Sequence, residues 1–258
     1  MNRETSISRG MQTLALVAFL FASIVHAPRV IANDNDVDNE YRLTLLPYYP
    51  FSKELVGFGY LGFVPNWDKE YTNYYMGVGG TYDVTSWMQT WLGLIGSYTD
   101  GWEGADKFEV RPFVGAKFFV PNDLGWNIYA FPRYEYRMVE NLDTDDWSYV
   151  NRVRLRLGLE IPLTERANAF KENSWYGIVD VEPMYRFDTN SIDPLRLRAG
   201  LGYVIGGGKR VEFIYHAQWT RPSNGGLDYT DNIFRINFKF PIGNGPLAAL
   251  TRNLDIDD

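Results

Sequence analysis

The sequence predicts an all-β chain: a single closed antiparallel transmembrane β-barrel of about ten strands, preceded by a signal peptide. Three observations carry this expectation. Charge and hydrocarbon alternate residue by residue through Arg152-Val153-Arg154-Leu155-Arg156-Leu157-Gly158-Leu159-Glu160-Ile161. A period of two is the strand period, because successive side chains point to opposite faces. Clusters of Gly, Pro, Asn and Asp then cut the chain into segments of similar length, and those residues punctuate strands. Finally, beyond the N-terminal segment no apolar run reaches the roughly 20 residues of a spanning helix, so any passage across a membrane falls to a closed barrel.

The totals narrow the class further. The chain has 258 residues, no cysteine and a formal net charge of -7. That length suits one barrel domain, and a fold without cysteine does not lean on disulfides. The acidic balance and the absence of a basic-aromatic motif argue against nucleic acid as a partner. Arg3 and Arg9 followed by an apolar run from Met11 to Val25 read as an export signal. The expected organisation is a signal peptide over 1–32, a lead-in over 33–52, the barrel over 53–240 and an acidic C-terminal tail over 241–258.

Taken in order, residues 33–40 are acidic and polar. Residues 41–51 are apolar enough to pack, but Pro47 and Pro50 demote them from a ladder strand. They are expected as a short edge piece or a segment tucked into one mouth. Strands are expected over 53–64, 71–82, 88–98, 107–120, 126–139, 147–161, 175–188, 194–205, 209–221 and 229–240. In the first three, Gly and Tyr are so frequent that neither face can be chosen. From the fourth onward the faces separate. Glu109, Arg111 and Lys117 oppose Val110, Val114 and Phe118. Arg133, Glu135 and Arg137 oppose Tyr134, Tyr136 and Met138. Asp180, Glu182 and Arg186 oppose Val179, Val181, Tyr185 and Phe187. The last three strands repeat the pattern with Arg196 and Arg198, with Arg210, Glu212 and His216, and with Arg235, Asn237 and Lys239.

Gaps after odd-numbered strands are mostly acidic, and several after even-numbered ones are tight, an asymmetry of outer-membrane barrels. The long gap 162–174 departs from it. An even strand count would place both termini on one side. Aromatic residues recur near strand ends, at Tyr71, Trp87, Tyr98, Trp126, Trp147, Trp175, Tyr203, Trp219 and Tyr229, as in the girdles at a lipid–water boundary. Alternation alone fits a soluble barrel as well as a membrane one. The girdles, the strand number and export without cysteine favour the outer membrane of a Gram-negative bacterium, with lipid as the partner of the apolar face.

Arg154-Leu155-Arg156-Leu157-Gly158-Leu159-Glu160, Leu197-Arg198-Ala199-Gly200-Leu201-Gly202-Tyr203 and Arg210-Val211-Glu212-Phe213-Ile214-Tyr215 resemble a domain-of-unknown-function family of uncharacterised Gram-negative outer-membrane barrels. The resemblance covers roughly the second half of the chain. It implies fold and location and transfers no functional residue.

The charged face is the candidate functional feature. Arg111, Arg133, Glu135, Arg137, Arg152, Arg154, Arg156, Glu160, Asp180, Glu182, Arg186, Arg196, Arg198, Arg210, Glu212, His216 and Arg235 are expected to face a narrow lumen. Three uses compete: a salt-bridged core that plugs the barrel, a constricted arginine-lined path for small anionic solutes, and a pocket at one mouth that grips a phosphate, carboxylate or acidic sugar through Arg forks. The runner-up is a hydrolase acting on lipid or peptide, with His216 as base, the one imidazole left after export. No nucleophile motif accompanies it. With one such histidine and no cysteine, neither a metal nor a cofactor is expected.

Overall fold

A computed structural model of the chain describes residues 37–102, 104–164, 170–221 and 225–242. The expected signal peptide over 1–32 and the tail from 243 onward lie outside these residues. The described residues form eleven strands: β1 Asp38–Pro50, β2 Leu55–Asn66, β3 Tyr71–Thr85, β4 Met88–Gly101, β5 Lys107–Val120, β6 Asn127–Asn141, β7 Asp146–Pro162, β8 Ser174–Arg186, β9 Ser191–Gly206, β10 Lys209–Thr220 and β11 Asp228–Pro241. Each pairs antiparallel with the next, and β1 pairs with β11 to close the barrel. Among the described residues no helix is long and apolar enough to cross a membrane.

The eleventh strand is the one that the prolines hid. Residues 41–51, expected as an edge piece or a plug, instead supply most of β1, so the barrel begins at Asp38 rather than at residue 53. Pro47 is tolerated because Leu46 and Pro47 fall in a break of the β1–β2 register, between Leu45↔Leu61 and Tyr48↔Phe58. A proline costs no ladder bond where the ladder is interrupted. Gly59 leaves room for it: a Cβ there would come within 3.0 Å of Pro47 Cγ.

Parity sets the rest. Eleven strands that run alternately up and down leave the first and last running the same way, so β1 and β11 pair in parallel, Asp38↔Asp231 to Tyr48↔Pro241. The start of β1 and the end of β11 therefore lie at opposite rims, which corrects the expectation that both termini share one side. At the first rim Lys69, in the β2–β3 turn, reaches Asp38 of β1 at 2.8 Å and Asp231 of β11 at 2.6 Å. Burial alone would lower the Lys69 pKa, but hydrogen bonds to these two carboxylates outweigh it and raise the value.

Alternation sorts side chains cleanly into an outer and an inner set. The outer surface is apolar: Met76, Val78 and Leu92 are 64%, 66% and 67% exposed, and Leu155, Leu157, Phe213, Phe234 and Ile236 join them. Aromatic pairs cluster at both rims. Tyr41–Trp67, Trp147–Tyr149 and Trp219–Tyr229 mark the first, and Trp175–Tyr203 and Trp87–Phe118 the second. Tyr71 is the exception, since its hydroxyl donates to Glu40.

The inner wall has two chemistries. On β1–β6 it is apolar, with Leu46, Tyr48, Val56, Phe58, Tyr60, Val64, Tyr75, Trp91, Ile95, Phe113, Tyr129 and Phe131 in one cluster. On β6–β11 it is mostly charged, with Tyr176, Ile178, Val204 and Ile214 as a smaller apolar cluster. Inward glycines let rings lie flat across neighbouring strands: a Cβ on Gly62 would sit 1.7 Å from the Tyr75 ring, and one on Gly202 2.1 Å from the Tyr176 ring. Two contacts tie the second mouth to the inner wall. Phe170 of the β7–β8 connection packs on Tyr176 at 5.5 Å, and the Tyr48 hydroxyl donates to Gly208 O at 2.7 Å.

Candidate functional site

The charged wall is built by strand pairing. Carboxylates stand mostly on β6, β8 and β10, and the cations that face them on β7, β9 and β11. Glu135 takes Arg133 at 2.6 Å, Arg152 Nε at 2.9 Å and Arg154 at 3.2 Å. Glu182 takes Arg154 at 2.6 Å and Arg156 at 3.0 Å. Asp180 lies opposite Arg198 in the β8–β9 ladder and accepts from it twice, at 2.7 and 2.6 Å. Glu212 accepts from the Tyr176 hydroxyl at 2.7 Å, from Asn237 at 3.1 Å and from Lys239 at 2.8 Å. Asn127 donates to Glu160 at 2.8 Å. Arg235 ties the two walls together, donating to Tyr60 at 2.6 Å and to Asn237 at 2.7 Å.

Burial of charge is costly unless each ion is paired and hydrogen-bonded, and here the pairing is dense. Arg154, Arg198 and Glu135 have 0% exposure. Among the described residues, eleven cations and eight carboxylates are buried. The cationic surplus gathers toward the first rim. There a cavity of about 230 Å³ is lined by Arg42, Lys107, Arg111, Arg137, Arg152 and Arg196, with Glu109 as its one carboxylate. Glu109 accepts from Arg111 at 2.7 Å and from both forks of Arg137 at 2.7 Å. Arg196 donates to Gln218 at 2.6 Å, and Arg42 pairs with Glu40. A larger hollow of about 800 Å³ lies on the outer wall among Tyr41, Phe63, Trp175, Phe213 and Phe234. Its lining is mostly apolar, with Arg42 and Arg235 among it, and is continuous with the outer belt.

Most of the residues singled out in the sequence fall in these two neighbouring sets. Three stand apart. Arg186 sits at the rim, held by Asp188 at 2.6 Å and Asp193 at 3.5 Å. Arg210 lies over the Tyr176 ring at 5.9 Å. His216 is wholly buried, with neither ring nitrogen hydrogen-bonded to a described residue; Glu212, its neighbour on the strand face, is engaged elsewhere. Sequence reasoning missed Glu40, Arg42 and Thr44 on β1, although they alternate with Tyr41 and Leu43 in strand period. It also missed the apolar inner wall of β2–β4.

Residues 64–229, more than half of the chain, match the family described as Protein of unknown function (DUF2490), and the chain belongs to that family. No curated protein matches the chain.

Proposed function

We propose that this member of a family of unknown function is a non-enzymatic outer-membrane barrel whose lumen is held shut by its own ion pairs. The observation that carries the reading is the inverted distribution of polarity, with hydrocarbon outside and paired charge within. In water such an outer belt would far exceed the few hundred Å² of contiguous apolar surface that soluble monomers expose. In lipid the same belt is satisfied. The strands run from 12 residues in β2 to 17 in β7, against the roughly 9–11 that a tilted strand needs to cross hydrocarbon. The aromatic pairs at both rims fit the interfacial girdles of such barrels. Eleven strands depart from the even number usual in bacterial single-chain barrels, and the parallel β1–β11 pair is what the odd count requires.

The closed lumen supports an accessory or structural role rather than steady flow. Purified barrel in a planar lipid bilayer is expected to show no stable conductance. A steady, anion-selective current would replace this with the second reading, a narrow arginine-lined channel for small anionic solutes, which the surplus of buried cations favours. For the hydrolase alternative, the buried His216 ring has no partner among the described residues to orient it. A lipid- or peptide-cleaving activity lost in His216→Ala would reinstate it.

A further inference from the structure

We infer that the basic cavity at the first rim is a binding site for a small phosphate-bearing molecule. The inference stands on the cavity alone, whatever the lumen conducts. Its cations come from five different strands, β1, β5, β6, β7 and β9, and converge only because the barrel closes. Each arginine is held by a partner: Arg152 by Glu135, Arg196 by Gln218, Arg42 by Glu40, and Arg111 and Arg137 by Glu109, which itself lines the cavity. A guanidinium carries five N–H donors in a fixed fork, so one edge can be held by such a partner while another serves a ligand. Braced donors lose little freedom on binding, and charge-assisted contacts to them are the strong ones.

Geometry favours phosphate over carboxylate. The lining surrounds the space rather than facing it from one side, and a phosphate monoester presents three terminal oxygens where a carboxylate presents two. The volume of about 230 Å³ is under the roughly 300–1,000 Å³ of pockets for drug-sized ligands, so the ligand is small. The acidic turns around the rim, with Asp143, Asp145 and Asp188, oppose entry of a long polyanion. Their field is screened beyond about 10 Å at 0.1 M salt, which lets a small anion pass.

Calorimetric titration of the full barrel, folded in zwitterionic detergent free of phosphate, tests this. Inorganic phosphate is the first probe, and a short-chain phosphatidic acid in mixed micelles the second. Binding of inorganic phosphate supports the site with a soluble ligand; binding of the lipid alone supports it with a headgroup. Arg137→Gln is expected to weaken binding roughly tenfold, the loss of one charge-assisted contact. Lys107→Gln at the exposed edge should weaken it in the same direction and covers the case in which Arg137→Gln does not fold. Arg186→Gln, outside the cavity, should leave it unchanged. No heat with either probe, or equal weakening in all three variants, would overturn the inference.

Discussion

The two walls of the barrel interior fill one space by opposite means. On β1–β6 rings and branched aliphatics pack together, Phe58 tilted on Trp91 at 5.5 Å and Trp91 tilted on Phe131 at 5.2 Å. On β6–β11 guanidinium and carboxylate interlock, three arginines on Glu135 and two on Glu182. An apolar wall loses stability in proportion to the volume removed. An ionic wall loses it by incompleteness, since one deleted partner strands the others without solvent. The ionic wall is therefore the more brittle of the two, although both rest on the same glycine-and-ring joints.

The largest effect should come where one anion serves most cations. Glu135→Ala is expected to lower stability by about 3–5 kcal/mol, read from urea unfolding of the detergent-folded barrel by tryptophan fluorescence. A loss under 1 kcal/mol would mean that the ionic wall is wet and the contrast between the walls is false. Next comes the contrast between faces on a single strand. Leu157→Arg should cost about 2–4 kcal/mol near mid-bilayer and reduce folding yield into vesicles. Arg156→Leu should still insert, because Glu182 keeps Arg154. Equal yields for both would mean that the faces carry no such difference.

How legible all this was depended on contrast. β5 runs over Lys107–Val120, the bounds the sequence predicts, and β7, β10 and β11 come within two residues of theirs. There a charged face opposes an apolar one, so a period of two is visible. On β2 both faces are apolar, with Val56, Phe58 and Tyr60 inside and Leu61 and Phe63 outside. The same period carries no polarity signal, and the inner wall could not be read. β1 was lost for another reason: local proline chemistry spoke against a strand, and the register break that tolerates Pro47 is a tertiary fact. A pocket at one mouth was among the uses the sequence suggested, but which cations line it was not legible, because Arg42 and Arg196 come to one cavity only through barrel closure, which one strand's pattern does not encode.

The shared joints give a smaller test. Gly62→Ala in the apolar wall and Gly202→Ala in the charged one should each cost about 1–3 kcal/mol, the usual range for overpacking, measured by the same unfolding. A cost confined to one wall would show that the joints are not equivalent. The smallest effect belongs to the rim. The Lys69 pKa is raised in the folded barrel, so its tie is fully present below the ordinary lysine value of about 10.4 and fades as pH rises through the higher folded value. Lys69 is part-exposed, and its removal as Lys69→Met should cost no more than about 1 kcal/mol. That difference should vanish at strongly alkaline pH; a constant difference up to that limit would contradict the tie.

The account turns on which medium meets which face, and the chain, free of native cysteine, allows a direct reading. Single cysteines placed in turn at positions 152 to 161 can carry a nitroxide in vesicle-inserted protein, and its collisions with oxygen and with a water-soluble nickel chelate can be compared. Labels replacing Leu155, Leu157 and Leu159 should collide with oxygen and be shielded from nickel, while labels replacing Arg154 and Arg156 should be shielded from both. Nickel access at Leu155, Leu157 and Leu159 would mean that the apolar face meets water and would contradict the account.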